Sequence, residues 1–261
     1  MNEVNKTLYI PLYGKAYVSK KGVFLCDRKA EEIWDKEGFK LGGKSRSKWL
    51  AFYMGIRAAV FDEWVKEELL NKKDAIVIHI GCGLDSRYLR VGEQTNMWYD
   101  VDFPTVIEER KLYYSETENY KMIGADARNS EWLQVISERK HAVVIMEGVS
   151  MYLSPDELRS LTRNICNHFE GVSLLMDCYT VMAAKMSKYK NPINEVGVSK
   201  VYGIDEPKVL QIGSLVYVNE HSMTPKKYID ELSGAERLIF KKLYAGRLSK
   251  KLYRMFEYKK V

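Results

Sequence analysis

The chain of 261 residues is poor in cysteine, histidine and proline. Its four cysteines stand far apart and form no CxxC pair, which argues against a disulfide framework and predicts a reducing, cytoplasmic location. Its four histidines are equally scattered, so we expect no structural metal site. No apolar run approaches the roughly 20 residues that a membrane-spanning helix needs, and the opening residues lack the pattern of a signal peptide.

Charge is nearly balanced along most of the chain. Lysine and arginine total 41 against 35 acids, which gives a net charge of +6 and an isoelectric point near 8.9. Such an excess could suit an anionic ligand or a nucleic acid, but acids and bases are mixed, as in an ordinary globular protein. Only residues 241–260 are clearly basic, and there the lysines alternate with apolar residues as in an amphipathic element. We predict a single domain over residues 1–261.

Short apolar runs alternate with helical patterns, which is typical of an α/β sheet. The predicted strands cover residues 75–80, 97–101, 120–124, 142–146 and 172–177. Helices are expected to open at Pro104 and at Ser154, where a proline and a capping-box glutamate follow the serine. This alternation predicts a doubly wound, mostly parallel sheet that binds its ligand at the carboxyl ends of the strands.

The flanking segments are less regular. Residues 1–45 are expected to form an N-terminal cap of short helices, and residues 50–70 a longer helix. Residues 183–213 are rich in lysine, glycine and proline, and we predict a lid or substrate loop there. Residues 238–243 could be a sixth strand, and residues 256–261 are predicted to be a seventh, buried within the sheet.

A glycine pair follows the first predicted strand, at Gly81 and Gly83. Glycine allows the backbone to turn sharply and approach a ligand closely. A dinucleotide signature GxGxxG would need glycine at position 86, where the chain has Ser86. The pair alone is weak, because tight turns also use glycine for structural reasons, but its place after the first strand supports a binding role.

Two aspartates end the second predicted strand. Asp102 lies 19 residues beyond Gly83, which is close to the spacing at which an acid accepts hydrogen bonds from a ribose. Asp100, two residues earlier in the chain, is the alternative. Either aspartate could instead cap the helix at Pro104. We favour Asp102 as the ribose ligand because it stands at the carboxyl end of the strand.

Two further acids follow the third and fourth strands. Asp126 could accept a hydrogen bond from an exocyclic amine such as that of adenine, although alone it would pass for a solvated turn residue. Glu147 ends a very apolar strand over the expected ligand crevice, and an unpaired carboxylate there is costly, so a cationic partner is predicted. Three acids in this order suit S-adenosylmethionine better than a dinucleotide.

On these motifs the chain resembles the leucine carboxyl methyltransferase family, including its bacterial branch of polyketide-type, tetracenomycin-like O-methyltransferases. The stretches that carry the resemblance are IGCGLDSRYLRV, WYDVDFPTVIEERK, GADAR and MEGVSMYLSPDEL. It implies a Rossmann-like class I methyltransferase fold of seven strands with the last antiparallel, an N-terminal helical cap, and S-adenosylmethionine as cofactor.

The resemblance also implies roles for individual residues. Gly81 and Gly83 would contact the cofactor, and Asp102 would hold its ribose. Asp126 and Ala127 would flank adenine, and Glu147 would lie near the cofactor's amino group. The family's clamp on the cofactor carboxylate matches Arg57 and, more loosely, Lys15. A guanidinium is the natural bidentate partner of a carboxylate, although Arg57 could instead form a surface ion pair with Asp62 or Glu63.

The acceptor side departs from the family. Ala127 is smaller than the family's usual leucine, and the lid differs, so leucine is not carried over as substrate. Tyr152 matches a tyrosine near the methyl acceptor, but a core tyrosine would look the same. No histidine stands in a recognisable motif, which favours a carboxylate or an acidic phenol as the acceptor. The lysines of the lid could attract an anionic acceptor: Lys185, Lys188, Lys190 and Lys200.

Two other functions remain open on the sequence alone. A nicotinamide-dependent oxidoreductase can use a similar sheet, and a silent binding module could retain the fold without catalysis. A nucleic-acid methyltransferase is disfavoured because no NPPY or DPPY tetrapeptide is present. We therefore predict an S-adenosylmethionine-dependent O-methyltransferase that acts on a carboxylate or hydroxyl of a small molecule, without metal.

Overall fold

The computed structural model describes residues 6–39, 41, 43–91, 95–187, 200–211 and 213–261. Seven strands run in the order β1 (Ile76–Ile80), β2 (Trp98–Asp102), β3 (Tyr120–Gly124), β4 (His141–Met146), β5 (Gly171–Tyr179), β6 (Leu215–His221) and β7 (Tyr253–Lys260). The helices are α1 (Lys6–Lys21), α2 (Arg28–Glu37), α3 (Lys48–Asn71), α4 (Arg87–Arg90), α5 (Pro104–Arg110), α6 (Pro155–His168), α7 (Val181–Ser187), α8 (Lys226–Glu231), α9 (Gly234–Leu243) and α10 (Arg247–Lys250).

All seven strands form one sheet in the order β3-β2-β1-β4-β5-β7-β6. The strands β1 to β5 are parallel, whereas β7 pairs antiparallel with both β5 and β6. The chain order reverses between β1 and β4, and crevices outside the carboxyl ends of strands bind ligands at such a switch point. The predicted fold class is confirmed.

The two faces of the sheet bury separate apolar clusters. Along β1, Val77 packs into the cluster that includes α1 and α3, while Ile78 and Ile80 pack into the cluster that includes α6. Both faces of a parallel sheet are covered, which explains why β1 is a continuous apolar run rather than an alternating one.

Two helices begin where the sequence predicted them. Ser154 and Glu157 form the predicted capping box at the start of α6, and Pro104 occupies the first turn of α5. The N-terminal cap consists of α1, α2 and a short 3-10 turn at Gly43–Arg46. No helix within the described ranges is long and apolar enough to cross a membrane.

Of the two strands predicted near the C-terminus, the seventh is present and the sixth lies elsewhere in the chain. The seventh strand is inserted between β5 and β6, as predicted, with Phe256 and Tyr258 fully buried. The sixth strand was wrongly predicted at residues 238–243, which belong to helix α9; β6 lies earlier in the chain. In α9 only Phe240 is fully buried, so the apolar neighbours that suggested a strand lie mostly on the exposed face.

The predicted lid at residues 183–213 can be followed only in part. It begins within α7 and includes a 3-10 turn at Pro207–Leu210, whereas residues 188–199 and 212 lie outside the described residues. Lys188 and Lys190, two of the four lysines considered for acceptor attraction, therefore lie outside them as well.

Candidate active site

A cavity of about 590 Å³ opens at the carboxyl ends of the parallel strands. That volume lies within the range of small-molecule sites, roughly 300–1,000 Å³. The cavity is lined by all nine residues that the sequence assigned to the cofactor or, for Tyr152, to the acceptor: Lys15, Arg57, Gly81, Gly83, Asp102, Asp126, Ala127, Glu147 and Tyr152. Sequence reasoning thus found residues from six separate parts of the chain that the fold brings together.

The turn after β1 forms the floor of one end. Gly81 and Gly83 have φ angles of +68° and +51°, in the left-handed region that favours glycine. A Cβ on Gly81 would collide with the Val149 side chain, and one on Gly83 would lie 3.1 Å from Leu8 Cδ2. The backbone conformation therefore favours glycine at both positions, and at Gly81 the packing of Val149 excludes a larger residue.

Asp102 faces the cavity, and Asp100 does not. The Asp102 carboxylate accepts hydrogen bonds from the Gly83 and Phe103 amides, both at 2.8 Å, and each oxygen keeps acceptor capacity for a ligand. Burial raises the pKa of Asp102, which the two amide donors oppose. Asp100 lies on the same face of β2 but two residues back from its end, where it is bonded to Arg110 and Tyr120. The choice of Asp102 over Asp100 agrees with this geometry.

Two arginines contact Glu147, for which the sequence predicted a cationic partner. Arg57 Nε donates to Glu147 Oε1 at 3.0 Å, and Arg87 donates to the other oxygen. Although burial acts to raise it, these two cations lower the pKa of Glu147 to about 2. Arg57 also donates to Asp177 Oδ2 at 2.9 Å. Arg57 is 4% exposed, so the alternative of a surface ion pair is wrong.

Lys15 lies beside the same group of charges. Its ammonium contacts Asp85 Oδ2 at 2.7 Å, and both side chains are buried. Arg87 also contacts Asp85, at 3.3 Å, and it contacts Asp62 at 2.7 Å. Burial acts to raise the pKa of Asp85, but Arg87, Arg90 and Lys15 hold it well below its ordinary value.

Asp126 and Ala127 lie at the end of the cavity next to Asp102. Arg128 holds the Asp126 carboxylate through its side chain and backbone amide, and these bonds lower the pKa of Asp126. Ala127 is half-buried and packs against the apolar cluster around Trp132. An adenine ring placed there would meet an apolar wall with one carboxylate at its edge.

The opposite end of the cavity is lined by rings and aliphatic side chains. Tyr152 belongs to this end and lies on a 3-10 turn, Ser150–Tyr152, between β4 and α6. Tyr53 bonds to Ser249 at 3.1 Å. Burial raises the pKa of Tyr53 and of Tyr152, so both hydroxyls stay neutral. The other lining residues at this end are Trp49, Leu50, Met54, Tyr179, Tyr244, Leu252 and Tyr253.

Sequence reasoning missed several charged residues at the cofactor end. Arg87 stands inside the quoted glycine motif, but its contacts with Glu147 and Asp62 span 60 and 25 residues of chain. Asp177 could have been found by the argument used for Glu147, because it lies near the carboxyl end of the neighbouring strand. Tyr253 carried no signal, since its place beside Asp177 depends on the antiparallel insertion of β7.

Comparison with known proteins agrees with this geometry. The sequence model of the leucine carboxyl methyltransferase family matches residues 6–166. The chain is similar to the tetracenomycin polyketide synthesis O-methyltransferase TcmP of Streptomyces glaucescens, at 30% identity over 186 residues, covering 70% of this chain and 69% of that protein. It is also similar to the S-adenosylmethionine-dependent methyltransferase dpfgK of Gibberella zeae, at 29% identity, covering 64% and 61% of the two chains.

A solved structure supports the fold independently. The magnesium protoporphyrin IX methyltransferase of Synechocystis, with S-adenosylhomocysteine bound, superposes with a TM-score of 0.51 at 11% identity, covering 90% of this chain and all of that one. The match to a methyltransferase family rules out the two alternatives left open by the sequence, a nicotinamide-dependent oxidoreductase and a non-catalytic binding module. The chain belongs to the leucine carboxyl methyltransferase family and is an S-adenosylmethionine-dependent O-methyltransferase.

Proposed function

We propose that the enzyme methylates an oxygen of a small, flat and largely apolar molecule held at the ring-lined end of the cavity. The observation that carries this proposal is the division of one cavity into two ends. Glycines and buried charges line one end, and aromatic side chains line the other. An enclosed aromatic end suits a small molecule better than a nucleic acid, which is usually recognised on a basic surface.

The charged end fits S-adenosylmethionine on grounds of its own chemistry. The turn at Gly81 and Gly83 lines the cavity where the methionine part would lie, and the spare acceptor capacity of Asp102 suits two ribose hydroxyls. Ala127 and Asp126 would flank the adenine. When bound, this cofactor supplies an electrophilic methyl group; the protein's part is to align it with the acceptor and exclude water.

Lys15, Arg57 and Glu147 would hold the zwitterionic end of the cofactor. The bonds of Arg57 to Glu147, Asp177 and Tyr253 use three of its five N–H donors. Lys15 has three donors, one of which faces Asp85. These remaining donors suit a carboxylate, and Glu147 suits an ammonium, so the three side chains form a clamp held in place by the ion pairs Arg57–Glu147 and Lys15–Asp85.

The acceptor end favours an uncharged acceptor over an anionic one. Among the cavity-lining side chains that the structure describes, the cations are Lys15, Arg57 and Arg128, and each already contacts a carboxylate. Lys185 and Lys200 do not line the cavity, and the Lys200 ammonium lies over the Tyr202 ring. An anionic acceptor would therefore find no described cation without a partner at this end.

Calorimetry with S-adenosylmethionine, S-adenosylhomocysteine and NAD side by side tests the cofactor assignment. We expect binding of the first two and none of NAD. Asp102→Ala should weaken both by about 1.5–3 kcal/mol, the range for hydrogen bonds to a charged group, or about 10- to 150-fold. NAD serves as the matched ligand control, and a melting curve checks the fold. Unchanged affinity in a folded Asp102→Ala variant would refute the ribose role.

A further inference from the structure

The basic stretch near the C-terminus has no part in the cofactor end of the cavity. Residues 237–256 carry seven lysines and arginines and no acid. They form the end of α9, all of α10 and the beginning of β7, and they reach the ring-lined end of the cavity through Leu243, Tyr244 and Leu252. An excess of positive charge beside a cavity attracts negatively charged partners.

Helix α9 turns one face inwards and leaves the other uncovered. Phe240 is fully buried and lies edge-on to Phe52, and Tyr244 stacks on Trp49. The outer face exposes apolar and basic side chains together: Leu238, Ile239, Lys241, Lys242 and Leu243. Leu243 is 53% exposed and also lines the cavity, so the cavity reaches the surface beside this face.

Helix α7 adds exposed side chains of the same two kinds. Thr180, directly before α7, donates from its amide to the Leu252 carbonyl at 3.2 Å and from its hydroxyl to the Lys251 carbonyl at 2.7 Å. These bonds hold the start of α7 against the end of α10. The exposed side chains of α7 are Val181, Met182, Lys185 and Met186. We call these four side chains and the five of α9, together with the exposed Lys250 and Lys251, the mouth face.

The lysines of the mouth face are not neutralised by ion pairs. Within the part of the chain that the structure describes, none of these five lysines contacts a carboxylate: Lys185, Lys241, Lys242, Lys250 and Lys251. Asp230 interacts with Lys241 only at longer range and pairs directly with Lys226 at 2.5 Å. Glu220 is likewise within longer range of Lys250 and pairs with Arg254 at 2.7 Å. The positive charge of the mouth face therefore remains open to a partner.

We propose that the mouth face docks on an anionic lipid surface. The ammonium groups meet the lipid headgroups, and the leucine, isoleucine, valine and methionine side chains enter the boundary between headgroups and acyl chains. A contact of this kind lies on a membrane and needs no spanning helix. Docking is independent of the proposed function. If that function holds, docking also places the ring-lined end next to lipid, from which an apolar acceptor enters without crossing water.

The composition of the mouth face favours lipid over an acidic protein as the partner. Protein interfaces are enriched in aromatic residues and arginine and depleted in lysine. The mouth face has the reverse composition, because its cations are lysines and its apolar side chains are aliphatic or methionine. A lysine ammonium is a point charge on a flexible stem, which suits headgroups that take no fixed orientation.

Co-sedimentation with vesicles tests the docking on the full chain without any cofactor. Vesicles of phosphatidylcholine alone are compared with an equal mixture of phosphatidylcholine and phosphatidylglycerol. We expect binding to the mixture, none to phosphatidylcholine alone, and loss of binding at high salt, because salt screens surface charges. Equal binding to both, or binding to neither, would overturn the proposal. Calorimetry with S-adenosylhomocysteine tests the proposed function separately, so the two failures are distinguishable.

Two pairs of adjacent lysines separate the mouth face from net charge. Lys241→Glu/Lys242→Glu is compared with Lys72→Glu/Lys73→Glu, an exposed pair directly before β1, at the opposite end of the parallel strands from the cavity. Each lysine at an anionic surface contributes about fivefold in affinity. The first variant should therefore bind the mixed vesicles about 25-fold more weakly or worse, and the second should lose far less. Equal losses would contradict the proposal.

A second pair of variants tests the apolar part of the contact. Leu238 is 70% exposed on the mouth face, and Leu70 is 75% exposed near the end of α3. Leu238→Ser should weaken binding to the mixed vesicles by about tenfold, and Leu70→Ser should leave it unchanged. Melting curves check the fold of each variant. Binding to soluble polyglutamate but not to the vesicles would replace lipid with an acidic protein as the partner and overturn the proposal.

Discussion

Arg57→Lys tests whether the guanidinium is required where α3 meets the sheet. Arg57 reaches Glu147 through Nε at 3.0 Å and Asp177 through Nη1 at 2.9 Å. A lysine keeps the positive charge but offers its donors from a single point, so it cannot span both carboxylates. Losing one charge-assisted bond costs about 1.5–3 kcal/mol. At about 2–4 °C per kcal/mol for a chain of this size, the melting temperature should fall by roughly 3–12 °C.

Urea unfolding measures the change in free energy and a thermal melt the change in melting temperature, beside cofactor calorimetry. Arg159→Lys is the matched control, because Arg159 contacts Asp156 at 2.8 Å on an exposed helix face, and exposed pairs contribute about 0–1 kcal/mol. Arg57→Met should cost more than Arg57→Lys, about 3–5 kcal/mol, since it leaves two buried carboxylates without that cation. If Arg57→Lys changes stability no more than Arg159→Lys, the buried cluster does not depend on the fork of the guanidinium.

Two further predictions concern stability. Deleting residues 256–261 should give insoluble or unfolded protein, because Phe256 and Tyr258 are fully buried in a strand that lies between two others; deleting only Val261, which is 82% exposed, should leave the melting temperature unchanged. A soluble six-residue truncation with an unaltered melting curve would contradict the strand's role. Because the pKa of Glu147 is about 2 in the fold against 4.5 as its ordinary value, its contribution is full above pH 4.5 and is lost as pH falls towards 2. Urea unfolding from pH 7 to 2.5 measures this, and a flat stability curve between pH 5 and 3 would rule it out.

Most of the strands could be predicted because a strand buried on both faces is a continuous apolar run in the sequence. The strands β1 to β5 and the late insertion of β7 were predicted for this reason. β6 was missed because most of its side chains are at least partly exposed: Val218 is 47% exposed, and a register shift between Tyr217 and Asn219 interrupts its pairing. The other edge strand, β3, is more deeply buried and was predicted.

The site residues that follow strands could be predicted from the sequence. The ion pairs and hydrogen bonds that join distant parts of the chain could not. Gly81, Asp102 and Glu147 lie at the carboxyl ends of three neighbouring strands, β1, β2 and β4, so topology alone brings them together. The links from Arg57 to Asp177 and Tyr253 cross 120 and 196 residues, and no local pattern announces them. A spacing rule can therefore place the ligands of a cofactor, but it cannot find the groups that compensate their charge.

A crystal structure of the protein with S-adenosylhomocysteine bound tests the central claim most directly. The account predicts both ribose hydroxyls within hydrogen-bonding distance of the Asp102 carboxylate, adenine beside Asp126 and Ala127, and the amino acid end over Gly81. The sulfur should then face the ring-lined end that holds Tyr253. A ligand bound elsewhere, or with its ribose turned away from Asp102, would contradict it.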